Sequence, residues 1–208
     1  DYIELFTQGE MVVTNKTTCD LATGEMLISG GEFFVQAFQD GVPLSISNGC
    51  SGAGTLNISP DLSGGFDFGM DAWTGIIDAN NNLNWTPIIA FDANTGSVDT
   101  LTAINCSGNT QIQGNFECVY SLPFIEGWTN CDVFFNWPDP KTTVTVNVPN
   151  DYNGINSSVF LLYAGQDGGV VYFPYDQIGS FVSYTSSIPV GLDVHVLLVA
   201  GLSNDTFS

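Results

Sequence analysis

Apolar and polar residues along this chain alternate in short runs, and no segment keeps a 3.6-residue apolar period for three turns. The runs are bounded by Gly, Asn and Asp, residues that favour tight turns. Glu32-Phe33-Phe34-Val35-Gln36-Ala37-Phe38 enters Gln39-Asp40-Gly41 and leaves through Val42-Pro43-Leu44-Ser45-Ile46, which predicts a hairpin closed by an Asp-Gly turn. Trp73-Thr74-Gly75-Ile76-Ile77 and Leu83-Asn84-Trp85 flank Asp78-Ala79-Asn80-Asn81-Asn82 as a second hairpin. Ser158 to Tyr163 and Val170 to Phe173 flank Gln166-Asp167-Gly168-Gly169 as a third, and a last strand runs from Leu192 to Ala200. From Lys141 to Val148, Thr and Asn alternate with Val, the mark of a half-buried strand.

Many short strands separated by turn residues predict an all-β fold of the sandwich or barrel kind. The stretch least like a strand is Asp92 to Gly114, where Asn, Thr, Ser and Gly crowd around Cys106, and a boundary is expected there. The expectation is two tandem β-sandwich domains, Ig-like or jelly-roll-like, of short antiparallel strands: residues 1–105 and residues 106–208. Each is near the usual size of a domain. Hydrophobic residues make up 44% of the chain, enough to fill such cores. The longest apolar runs, such as Val194 to Ala200, are strand-length and too short to cross a membrane as a helix.

Charge narrows the picture by exclusion. Asp and Glu number 22 against two lysines, Lys16 and Lys141, and no arginine, a formal net charge of -20. A field of that sign repels phosphate, which argues against nucleic acid and anionic membrane surfaces as partners. It also leaves almost no cation to clamp a carboxylate or phosphate substrate. Asp1 stands at the head of a strand-like run, Tyr2-Ile3-Glu4-Leu5-Phe6, with no initiator Met. That reads as a mature or proteolysed product without its targeting segment and an upstream β segment. Few trypsin sites and five cysteines point to an oxidising, extracellular setting.

The cysteines have no CxxC spacing, and the single His195 cannot complete a typical zinc set, so disulfides are expected instead. Cys106 and Cys118 bracket a polar loop that can fold back and place them opposite one another. Cys19 and Cys50 flank the strands of the next hairpin and form the second expected bridge. Cys131, beside Trp128 and Phe134-Phe135, is expected to be a free buried thiol.

Hydrolytic chemistry needs a nucleophile with a base in reach, or two positioned carboxylates. His195 alternates with Val194 and Val196 as a sheet-face residue, and Gly-x-Ser-x-Gly is absent, so no catalytic residue is assigned. Asp78, Asn80 and Asn82 offer side-chain oxygens at alternate positions, like the start of a calcium loop, without its sixth-place Gly or twelfth-place Glu. The competing reading is an Asn-rich hairpin turn. Trp73 and Trp85 are candidates for stacking on a glycan, against the alternative that they are core.

Glu4-Leu5-Phe6 with Met11 to Thr18, Leu27 to Phe34, Gly127-Trp128-Thr129-Asn130-Cys131-Asp132, Asp139-Pro140-Lys141-Thr142-Thr143 and Ile188-Pro189-Val190-Gly191-Leu192 resemble a family of secreted Bacteroidota surface proteins. The likeness runs in order over most of the chain and includes no catalytic motif. It departs where the family carries a basic residue after the Asp132 position, here Val133, and another basic residue ahead of Lys141. In relatives the preceding segment resembles a ZU5-like β module. The resemblance implies an exported, β-rich, surface-associated protein. The expectation that follows is a non-catalytic extracellular structural or adhesive protein, such as a fibre or appendage subunit joining copies through β-strand edges. A calcium-assisted carbohydrate-binding module comes next, and a carboxylate-dependent glycoside hydrolase last. The expected partners are further copies or surface components, with a glycan as the alternative ligand; calcium is the one cofactor expected.

Overall fold

The computed structural model of the chain describes residues 1–45, 55–63, 67–78, 82–92, 96–107, 117–123, 126–137, 140–165 and 169–201. Within them the alternating runs fold as strands of several small antiparallel sheets, an all-β architecture. The largest sheet holds β1 (Tyr2–Leu5), β2 (Leu27–Val35), β3 (Asp71–Ile77), β4 (Leu83–Pro87) and β5 (Gly127–Phe134), in the spatial order β1-β2-β5-β3-β4. A second sheet places Glu117–Pro123 between Ile104–Ser107 and Thr55–Ile58. In a third, β6 (Ser157–Tyr163) lies between β7 (Val170–Phe173) and β8 (Val194–Ala200). A fourth joins Thr145–Asn147, Ser180–Val182 and Tyr175–Gln177.

Alternation along the strands sorts the apolar side chains into three cores, one between each pair of successive layers. Phe33, Ala72 and Cys131 of the largest sheet meet Ile58, Tyr120 and Leu122 of the second. The opposite face of that sheet presents Leu27, Trp73, Trp85 and Trp128 to Phe160 and Val170 of the third. The outer face of the third, with Val159, Leu161, Tyr163 and Phe173, packs on Phe181 and Ile188. Residues 159 to 163 thus feed two cores by turns. The ion pair between Lys141 and Glu25 ties the start of the C-terminal strands to the turn before β2.

The β3–β4 and β6–β7 hairpins form where alternation predicts them, with Gly75 opposite Trp85 and Phe160 opposite Tyr172. Asp40 and Gly41 take φ of 52° and 78°, as a two-residue hairpin turn demands, between Phe38–Gln39 and Val42–Pro43. The strand ahead of that turn behaves differently: β2 ends at Val35 and pairs with β1 and β5. Lys141 to Val148 breaks into Lys141–Thr142, paired with Ile188–Pro189, and Thr145–Asn147, paired with Ser180–Val182.

Strands on either side of residue 105 pair with one another. Glu117–Pro123 pairs with Thr55–Ile58, and β5 is the middle strand of the largest sheet. The polar stretch after Asp92 also carries strands, since Ser97–Thr100 pairs with Ile89–Asp92 and Ile104–Ser107 follows. One helix was not foreseen, α1 (Gln8–Val13). Thr7 Oγ1 accepts from the Glu10 amide at 3.3 Å, and the Glu10 carboxylate accepts from the Thr7 amide at 3.0 Å, a capping box that starts it. Buried Met11 anchors it.

The expected pair of disulfides needs correcting. Cys19 is a buried free thiol, so the Cys19–Cys50 bridge is not formed; Cys50 lies outside the described residues. The Cys19 side chain packs in the core with Met26, Val171 and Phe173, its Sγ 3.9 Å from the Val170 carbonyl oxygen. Cys131 is free and buried. Cys106 stands directly opposite Cys118 in the register of their strands, and Cys118 is disulfide-bonded.

Candidate functional site

The segment Thr17 to Asp20 crosses from the largest sheet to the third and floors a cleft. Its bonds run to both. The Trp85 indole N–H donates to the Thr17 carbonyl at 2.7 Å, and the Trp85 amide donates to the Cys19 carbonyl at 2.9 Å. Thr17 Oγ1 donates to the Leu83 carbonyl at 2.9 Å. On the other side the Thr18 amide donates to the Val170 carbonyl at 2.9 Å.

Above this floor the cleft encloses about 770 Å³. One wall is the end of the β3–β4 hairpin, with Asp78, Asn82 and Asn84. The other is the loop before β6, with Asn150, Asn153, Gly154 and Ile155, and Tyr172, Tyr175 and Tyr184 add to the lining. Local hydrogen bonds stiffen that loop: the Ile155 amide donates to Asn153 Oδ1 at 2.9 Å, and the Asn153 amide to Asn156 Oδ1 at 2.9 Å. The Tyr184 ring lies against Gly24, whose φ is 67°. A Cβ there would fall 2.1 Å from Tyr184 Cγ, so the ring position depends on glycine.

Burial holds two of the cleft's phenols, Tyr172 and Tyr184, in the protonated form. Burial raises Tyr172 above the ordinary phenol range, the Asp78 and Tyr184 charges add to it, and Asn82 opposes. Burial also raises Tyr184, helped by Cys19 and Asp78. The Cys19 thiol is pushed up to about 12, first by burial, so it is no thiolate nucleophile at neutral pH. The described lining thus offers amides, protonated hydroxyls, aromatic rings and one carboxylate, with no Lys, Arg or His. Amides and carboxylates hydrogen-bond to ligand hydroxyls, and tyrosine rings cover apolar sugar faces. Among these described residues an anion finds no counter-charge.

Asp78 and Asn82, candidate calcium ligands, both line the cleft, while Asn80 lies outside the described residues. The Asp78 carboxylate is engaged by Asn82 itself: Oδ1 accepts from its amide at 2.9 Å and Oδ2 from its Nδ2 at 3.0 Å. These contacts are those of an Asn-rich turn. Among the described residues no group of three or more His, Cys, Asp or Glu side chains is placed to hold a metal. Trp73 and Trp85, the glycan-stacking candidates, follow the alternative reading and are core, with 1% and 0% of their surface exposed. Burying such large apolar rings is favourable only if the N–H is satisfied, and Trp73 Nε1 donates to the Asp132 carbonyl at 3.0 Å.

The aromatic rings that do line the cleft are those of Tyr172, Tyr175 and Tyr184, which sequence reasoning missed. Pro149-Asn150-Asp151-Tyr152-Asn153-Gly154 was legible as a loop; nothing local told that it faces the Asp78–Asn82 turn. His195 is exposed on β8 and does not line the cleft. No family model matches the chain, and no curated protein or solved structure matches it either.

Proposed function

We propose that the chain is an exported, non-catalytic surface protein of the adhesive kind, whose cleft binds an uncharged, polyhydroxylated ligand such as a glycan segment. The observation that carries this reading is the lining: Asn82, Asn84, Asn150 and Asn153 converge with three tyrosine rings around about 770 Å³. Among the described lining residues the single carboxylate, Asp78, suits hydrogen bonding to sugar hydroxyls better than the paired-acid chemistry of a glycosidase. In this reading the stacked sheets act as two sandwich-like units whose junction is the binding cleft. The test is a glycan array carrying neutral and anionic ligands, with Tyr175→Ala and Asn150→Ala beside the wild type. Binding to neutral glycans, lost in both variants at unchanged thermal stability, is expected. Binding that ignores both substitutions, or no binding at all, refutes the assignment.

A second reading, assembly of copies through strand edges, is favoured by β8. It is an edge strand of seven residues with Val194, Val196, Leu197 and Val199 partly exposed, and it carries no Lys, Pro or bulge to deter pairing. Copies carrying this net charge repel one another, so salt should strengthen their association. Sedimentation across a salt series tests it: a particle that stays monomeric throughout removes the reading.

A further inference from the structure

Two carboxyls lie in the core between the largest sheet and the third. Glu32 of β2 and Asp132 of β5 both have 0% of their surface exposed. The register sets Glu32 opposite Asn130 and Asp132 opposite Ser29, so the four side chains share the face that carries Trp128. None of the four carboxylate oxygens has a hydrogen-bond partner, and neither has Nδ2 of fully buried Asn130. The other end of that amide is occupied, since Oδ1 accepts from the Ser29 hydroxyl at 2.9 Å. An ionised carboxylate enclosed without a partner is among the costliest arrangements a core can hold. Lys16 offsets it only in part: its charge favours the ionised form of Glu32, but its Nζ bonds neither carboxylate and instead donates to the Thr14 carbonyl at 3.1 Å, 5.6 Å from the centre of the Trp128 ring.

We propose that Glu32, Asp132, Asn130 and Ser29 form a buried site for a hard, oxygen-seeking divalent cation lodged between the two sheets. Two carboxylates match its charge. Turning the Asn130 amide over exchanges its oxygen and nitrogen at almost no steric cost. Nδ2 then donates to Ser29 Oγ, and Oδ1 joins the carboxylate oxygens facing the ion. An all-oxygen set suits calcium or manganese and not zinc. Without the ion, burial drives both carboxyls well above the usual range and the Asp132 charge adds to the effect on Glu32; Trp85 and Lys16 oppose it at Glu32, and Ser29 and Asn130 oppose it at Asp132. Being enclosed by two sheets, the ion enters as they close, so binding is coupled to folding. The site is separate from the cleft and stands whether or not the cleft binds glycans.

The test refolds the full chain from denaturant in three arms: with chelator, with Ca²⁺ and with Mn²⁺. Metal content after gel filtration and thermal unfolding are then read. Retention of a stoichiometric amount of at least one ion is expected. With ion at 100 times its dissociation constant, Tm should rise by on the order of 5–10 °C over the chelated arm. Asp132→Asn should abolish both retention and shift, while Lys16→Met, which removes the positive charge acting on Glu32, should preserve them. No retained metal in either arm with coincident melts overturns the proposal and leaves a protonated acid pair. In that event Glu32→Gln and Asp132→Asn hold or raise Tm. If neither variant folds, the wild-type arms decide alone.

Discussion

Replacing Trp85 by Ala separates a core tryptophan from a binding one. The indole has 0% of its surface exposed and packs in one cluster with Leu5, Met11, Leu83 and Trp128. The space is tight, since a Cβ on Gly75 across the ladder would lie 3.0 Å from Trp85 Cζ3. Truncating a buried Trp to Ala costs about 3–5 kcal/mol. The Thr17 carbonyl, which accepts from the indole at 2.7 Å, is left without that donor, adding roughly 1 kcal/mol or more. Together these consume a large share of a typical stability of about 5–15 kcal/mol. Urea unfolding followed by far-UV circular dichroism should show a much lower midpoint for Trp85→Ala. Trp85→Phe keeps most of the ring and loses only the donor, so a cost of about 1–2 kcal/mol is expected. Because the lost bond holds the cleft floor, Trp85→Phe should weaken glycan binding as well. A Trp85→Ala protein within about 1 kcal/mol of wild type, at the same denaturant slope, refutes the core assignment.

Three other expectations rest on buried groups. Tyr163 is 1% exposed and its hydroxyl has no partner, so Tyr163→Phe should be neutral or stabilising by about 1 kcal/mol in the same urea assay; a loss of about 2 kcal/mol would show that the hydroxyl is satisfied. Cys19 and Cys131 should resist alkylation in native protein and react once it is unfolded. The Cys19 thiol rises from an ordinary 9.0 to about 12 on folding, through burial first. Between those values the unfolded chain has lost a proton that the folded chain keeps, so stability falls as pH rises, by about 1.4 kcal/mol per pH unit. Cys19→Ser should flatten that part of the profile, and equal slopes for both proteins would sink the argument.

Much of the strand content was legible because alternation is a local signal. Ser158 to Tyr163 reads as a strand, and its residues do feed two cores by turns. The capping box Thr7-x-x-Glu10 was also legible, but the helix after it spans six residues, too few to show a period. The partners of β2 were not, since what pairs with it depends on residues far along the chain. The cleft was hidden for the same reason: Asp78, Asn153 and Tyr184 are adjacent only after the sheets stack. Trp73 and Trp85 show why residue type alone leaves two readings open, because an aromatic rich in binding potential is equally rich in burial energy. The acids illustrate the converse. Glu32 and Asp132 looked like two among many, and only the register of β2 and β5 brings them to one face.

That register has a kinetic consequence. Asn130 of β5 pairs with Glu32 on one side and Trp73 on the other, so the middle of the largest sheet is supplied after both of its neighbours. Until it arrives, β2 and β3 each present a bare edge, and closing loops of that length precedes the contacts that reward it. Folding should therefore be slow for the chain's size. A fragment cut before Gly127 keeps both edges open and should aggregate, whereas the shortest fragment able to complete the sheet must run through Phe134.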